Sequence, residues 1–255
     1  MSTPVRIAAQ LQPQHAPDYG LIRDAVLRAE DAGVDIIFTW DHFYPLNGDL
    51  DGHHFECWSL LAAWAEQTER VELGALVTGG GYRNPDLLAD IARTVDHISG
   101  GRLILGIGAG WNEKDYDNYG YEFGTPGSRL ALLKEYLPRI RSRFEQLNPA
   151  PLREIPILIG GGGERKTLRL VAEHANIWHS FSDLETLRRK NAILAQHCAE
   201  VGRESAVIDR STSWPGADGA AAYAAEGVRL FTVGVSGPEY DLTEVRDAVA
   251  WRDAQ

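Results

Sequence analysis

Eight times along 255 residues, a short apolar run is followed by a longer segment whose apolar residues recur at three- and four-residue spacing. The short runs read as strands and the longer segments as amphipathic helices. Strict strand–helix alternation calls for parallel strands joined by crossover helices. Eight such units of about 30 residues close on themselves as a (β/α)8 TIM barrel. The predicted strands are 5–10, 35–40, 71–78, 103–107, 155–159, 176–180, 206–211 and 230–235. Asp18 is placed to cap the first helix, which stops at Gly33, and Asn84 with Pro85 to cap and open the third. Residues 128–147 read as one long helix, interrupted or kinked near Pro138, and 112–121 as a polar, aromatic segment. No linker or low-complexity stretch divides the chain, so residues 1–255 are expected to form a single barrel domain.

Composition narrows the partners. A formal net charge of -11 argues against nucleic acid or an anionic membrane surface, both of which need clustered Lys and Arg. An anionic ligand must therefore meet a local positive patch. Cys57 and Cys198 lie far apart and in no metal or redox spacing, which fits reduced thiols. The opening residues MSTPVRIAAQLQPQ hold no apolar signal-peptide core and no run of 18 apolar residues occurs, so a cytoplasmic protein acting on a small molecule is expected.

In a closed barrel the loops after the strands share one mouth, so the chemistry is sought at strand ends. Gly106, Gly108, Ala109 and Gly110 clear side chains from the end of the fourth predicted strand. Room for a flat ligand and room for a close strand or helix contact both remain open readings. Asp41 and His42 follow the second strand; as neighbours they point to opposite faces, and His42 is the better acid/base candidate. Asp49, Asp51, His53, His54 and Glu56 lack an established metal-ligand spacing and read as a solvated loop. No metal is expected, and a metal-dependent barrel hydrolase built on His42, His53 and His54 is kept as an alternative. GGGGERKT differs from a Walker A loop because Arg165 stands where its second glycine should be. Gly160, Gly161, Gly162 and Gly163 still expose consecutive N–H groups before a helix, where Arg165, Lys166 and Thr167 supplement them for a phosphate.

WDHFYPLNGD, HFECWSLLAAWAEQTERVELGALVTGGGYRNPDLLADIARTVDHISGGRLILGIGAGWNEKDYDNYGYEFGT and PILIGGGGERKTLRLVAEHANIW resemble the luciferase-like monooxygenase superfamily, in its branch of coenzyme F420-dependent oxidoreductases. The resemblance covers roughly 140 residues from Asp35 to Trp178. It implies a luciferase-like (β/α)8 barrel holding coenzyme F420, or alternatively FMN in a monooxygenase, with hydride transfer to or from a small substrate. Asp41 and His42 would lie beside ring and substrate. Leu76, Val77 and Thr78 would form a bulge behind the ring, with a cis peptide from Leu76 to Val77. Ala109, Gly110 and Trp111 would border the ring, with Phe43 and Tyr116 shaping an apolar pocket, and Gly160 to Gly163 would hold phosphate. A homodimer is compatible with the resemblance. Three departures stand out: Trp111 replaces the Glu of the family's sugar-phosphate dehydrogenases, Asn176 replaces an acidic residue, and the segment between Phe144 and Ile155 is short. The last of these leaves any lid built there in doubt and suggests an open or partner-covered pocket.

Overall fold

The computed structural model describes residues 4–255, and in it the strands pair in parallel around a closed ring. In chain order the elements are β1 (Arg6–Leu11), α1 (Tyr19–Asp31), β2 (Ile36–Thr39), α2 (Cys57–Gln67), β3 (Glu72–Ala75), β4 (Thr78–Gly79) and α3 (Pro85–Ile98). They continue as β5 (Leu103–Gly108), α4 (Glu113–Tyr119), α5 (Pro126–Gln146), β6 (Ile157–Gly160), α6 (Thr167–His174), β7 (Ile177–His179) and α7 (Leu184–Glu200). The last are β8 (Asp209–Ser213), α8 (Ala217–Ala225), β9 (Val228–Val235) and α9 (Thr243–Asp253). The sheet runs β3-β2-β1-β9-β8-β7-β6-β5-β4, and pairing of β3 with β5 closes it. This is the expected TIM barrel.

The single strand predicted over 71–78 is instead two, β3 and β4, both paired with β5. Gly74 faces Ile104, an offset of 30, whereas Thr78 faces Ile107, an offset of 29, so one extra residue is accommodated between them. That is a β-bulge, and the Leu76–Val77 peptide within it is cis. Strand 206–211 also moves: Ser205–Val207 is a 3-10 turn and β8 starts at Asp209, because the Arg210 guanidinium donates to the carbonyls of Ser205 and Ile208 and ties the turn down.

Helix starts follow local chemistry. The Asp18 carboxylate accepts from Leu21 N at 3.2 Å, and Asn84 Oδ1 from Asp86 N at 2.9 Å with Pro85 in the first turn. α5 is one uninterrupted helix through Pro138, opened by a reciprocal Thr125–Ser128 capping box. Apolar residues fill two shells. A small one inside the barrel contains Ala8, Ile36, Phe38, Ile104, Leu158 and Leu230. A much larger one lies between strands and helices, and includes Trp64, Leu61, Leu105 and Ile159. Below the inner shell, Arg6 bonds Glu72 at 2.8 Å and Asp209 at 3.1 Å, which plugs the amino end of the barrel.

The short segment after α5 lies at that same amino end. Arg93 Nη1 donates to Pro149 O, the His97 ring bonds Ala150 O, and Asp96 accepts from Leu152 N. Because a crossover helix returns the chain to the start of the next strand, the 144–155 connection faces away from the mouth. Its brevity therefore does not bear on a lid, contrary to the sequence expectation. Asn176 sits at this end too, and its Oδ1 accepts from Ile157 N at 2.9 Å, a bond that an acidic residue would also make. No helix among the described residues is long and apolar enough to cross a membrane.

Candidate active site

Along each strand, alternate residues enter the barrel, and their character changes toward the carboxyl end. On β5 and β6 the inward positions above Ile104 and Leu158 are Gly106, Gly108 and Gly160. The bulge needs this space. A Cβ on Gly106 would collide with Ala75 O, one on Gly108 would lie 2.8 Å from Val77 Cγ2, and one on Gly160 would lie 3.0 Å from Val77 Cγ1. The strand-five glycines thus serve first as room for the chain's own bulge, which pushes Val77 into the barrel.

Above this floor lies a cavity of about 710 Å³, within the range typical of small-molecule sites. Gly79, Gly108 and Gly160 all border it, so three glycine-bearing strand ends from different parts of the sequence meet in one place. Leu76, Val77, Ala109, Gly110 and Trp111 form one side. Gly161, Gly162 and Thr167 form another, joined by Lys190 from α7. At that end a Cβ on Gly162 would collide with Lys190 Nζ, and Thr167, buried at 5% exposure, opens α6. Backbone amides, a hydroxyl, a helix N-terminus and an ammonium together suit a phosphate.

His42 also borders the cavity. Its Nδ1 lies 2.6 Å from Asp115 Oδ2, and Asp115 is fully buried in α4. Asp115 also accepts from Phe43 N at 3.0 Å, Tyr82 OH at 2.9 Å and Asn112 Nδ2 at 3.0 Å. Burial works to raise this carboxyl, but the bonds from His42 and Phe43 N–H outweigh it and hold Asp115 below its ordinary value. An ionised carboxylate on Nδ1 fixes the tautomer, so Nε2 is the nitrogen left for exchange with a ligand. The Tyr82 phenol is pushed well up by burial and by Asp115, so it remains a donor. The Trp111 indole stands edge-on to the His42 ring with centroids 5.4 Å apart.

Several expected residues lie elsewhere. Asp41 is 1% exposed and faces away from the cavity, where Arg83 holds it with bonds of 2.5 and 3.0 Å. Strand alternation sends it outward while His42 turns in. Thr78 is fully buried and accepts from Trp58 Nε1 at 3.0 Å; it braces α2 against β4. Gly163 and Arg165 fall outside the cavity lining, because the chain has already turned outward before α6 and leaves Arg165 exposed. Phe43 and Tyr116 pack with Tyr82 in an aromatic cluster behind the wall, with centroids 4.7 and 5.1 Å from it, and only Tyr82 reaches the cavity.

Sequence reasoning missed Asp115, Tyr82, Arg129 and Lys190, while His179 was reached only as a residue at the end of the sixth predicted strand. Asp115 alone carried a signal, as an acid in the polar segment after the strand-five glycines. Arg129 borders the cavity, and it holds the 110–124 loop by donating from Nε to Gly110 O at 3.0 Å and from Nη1 to Phe123 O. His54 Nε2 accepts from Trp40 Nε1 at 3.2 Å, and burial, aided by His42, lowers its pKa to about 4. Among the described residues no group of three or more His, Cys, Asp or Glu could hold a metal ion, which leaves the hydrolase alternative without a ligand set there.

Residues 1–224 match the family described as luciferase-like monooxygenase. The F420-dependent glucose-6-phosphate dehydrogenase of Amycolatopsis mediterranei (strain U-32) is 29% identical over 173 residues, 61% of this chain and 50% of its own. The pyrimidine monooxygenase RutA of Methylorubrum populi is 28% identical over 169 residues, 58% of this chain and 45% of its own. The chain spans about half the length of the curated relatives it matches. Among solved structures, an F420-dependent secondary alcohol dehydrogenase in complex with an F420-acetone adduct has a TM-score of 0.85 at 15% identity, with 99% of both chains covered, a likeness of fold.

Proposed function

The chain belongs to the luciferase-like monooxygenase family, and from that premise we propose that it is a coenzyme F420-dependent oxidoreductase that moves a hydride between the deazaflavin and a small organic substrate. One observation supports this above others: a single cavity has phosphate-suited groups at Gly161, Gly162, Thr167 and Lys190 and, on another wall, a carboxylate-backed histidine. The donor set fits the cofactor, since an ammonium and a helix N-terminus answer its phosphate and the Leu76–Val77 bulge offers a flat apolar backing for a ring. When bound, the cofactor supplies a ring carbon that gives or takes the hydride.

The chain's own residues do the rest. Val77 and Leu76 position the ring against the cavity. Asp115 holds the His42 ring in place through Nδ1, and Nε2 would be the atom that gives a proton to the substrate or takes one from it. Trp111 and Leu133 give the cavity apolar wall.

Titration with purified F420 and, separately, FMN tests the assignment. Expected is a saturable spectral change and a rise in melting temperature with F420, because binding to the folded state stabilises by mass action. Uptake of FMN without response to F420 would move the assignment to an FMN-dependent monooxygenase. Response to neither overturns both.

A further inference from the structure

The inward residues at the barrel mouth are not uniform. On β5 and β6 they are glycines, but on β1, β7, β8 and β9 they are Gln10, His179, Ser211, Ser213 and Thr232. Gln10, His179, Ser213 and Thr232 line a second cavity of about 230 Å³ beside the first. His179 and Phe181 border both, so the two spaces are separated by these two rings, whose centroids are 5.0 Å apart.

His179 is 3% exposed, its Nδ1 bonds Ser211 Oγ at 2.8 Å, and its buried Nε2 has no partner. An orphaned buried nitrogen on a cavity wall calls for a ligand. Phe181 stands beside it at 79% exposure and lines both spaces. Other groups on this wall also keep capacity. Gln10 Nε2 donates to Leu76 O, leaving its Oε1 free to accept, and Thr232 Oγ1 donates to Thr212 O, leaving its lone pairs. No Lys or Arg lines the chamber, and the one charged side chain there is the exposed Glu244 at the start of α9.

We propose that this side chamber is the substrate's polar subsite, built for a hydroxyl- or amine-bearing arm and closed to phosphate or carboxylate. The mouth is thereby divided. Anionic charge is met at Lys190 and Gly162, and uncharged or cationic polar groups at the β1, β7, β8 and β9 wall. The subsite rests on the oxidoreductase reading only for the name of its occupant as substrate.

Three probes sharing one carbon skeleton test it: glycerol, serinol (2-amino-1,3-propanediol) and glycerol 2-phosphate, observed by saturation-transfer NMR on the F420-loaded protein. F420 uptake is first read from its absorbance, so that its failure counts against the oxidoreductase reading, and the panel is then run on Lys190→Ala protein, which lacks the ammonium that would hold glycerol 2-phosphate at the other end of the mouth. Expected are transfer to glycerol, stronger transfer to serinol and none to glycerol 2-phosphate. Thr232→Val should lower both positive signals at least fivefold, and Glu244→Gln, at an exposed position that leaves the fold intact, should bring serinol down to the glycerol level. The proposal is overturned if glycerol 2-phosphate matches serinol, if serinol ignores both substitutions, or if none of the three binds.

Discussion

A single proton-handling pair illustrates what neighbouring residues can and cannot reveal. Asp41 and His42 are adjacent in sequence, yet the acid that serves His42 is Asp115, 73 positions away. Alternation along the strand already argued that only one of the pair enters the barrel, and the aptness of imidazole for acid/base work near neutrality selected His42. The partner was illegible because it depends on where a short helix docks, which no local pattern reports. His42→Asn should lower turnover by about a hundredfold or more while leaving F420 affinity within a few-fold, the mark of an interaction made during the reaction. Asp115→Asn keeps an oxygen for Phe43 N–H but removes the charge. It should cost at least about tenfold in turnover, and about 1–3 kcal/mol of stability through the weakened bonds from His42 and Tyr82. Steady-state rates with denaturant melts of the same samples separate the two effects. A stability loss with unchanged turnover would make the pair a brace for α4.

Helices and strands were more legible than the bulge joining them, because hydrophobic period and capping residues are local whereas register is not. The glycines at 106 and 108 left space for a ligand and a close strand or helix contact both open, and Gly160 read as the start of a phosphate loop. Structure divides the roles: Gly106 faces the backbone of the bulge, Gly108 and Gly160 face Val77 and still border the cavity, and Gly162 faces Lys190. Gly106→Ala must push against a carbonyl that cannot swing away, so it should destabilise by about 1–3 kcal/mol, which lowers the melting temperature by several degrees in a chain of this size. Gly162→Ala meets only the tip of a flexible side chain. It should leave the melting temperature in place while F420 affinity falls about tenfold or more as the ammonium is displaced, and Lys190→Ala should produce a similar fall. Since both substitutions act on one contact, the double variant should lose much less than the product of the two. A multiplicative loss would separate Lys190 from the loop.

At the scale of the whole barrel, the same ring of strands that gathers the site also encloses His179, and the loop after β2 half-buries His54, so that both imidazoles resist a proton. Burial lowers the pKa of His179 to about 4, and the same cause with a contribution from His42 brings His54 to about 4. In the unfolded chain both return to their ordinary value of 6.5. Between those limits the unfolded chain binds more protons than the folded one, so acid favours unfolding. Stability should hold steady above about pH 7 and fall as pH drops toward 5, by roughly 1–2 kcal/mol for each histidine. Asp115 does not share this window. Its carboxyl is depressed from an ordinary value of 3.8, so its contribution is present above that value and lost only in stronger acid. Urea unfolding at pH 7, 6 and 5 with a constant m-value measures the effect directly. His54→Gln keeps an acceptor for Trp40 but cannot take the proton, and should remove a share of the slope without moving the neutral plateau by more than about 1 kcal/mol. A wild-type curve that is flat from pH 7 to 5 would mean that both rings reach water in the folded state. In that case the orphaned nitrogen of His179 would be hydrated and the chamber behind Phe181 already open.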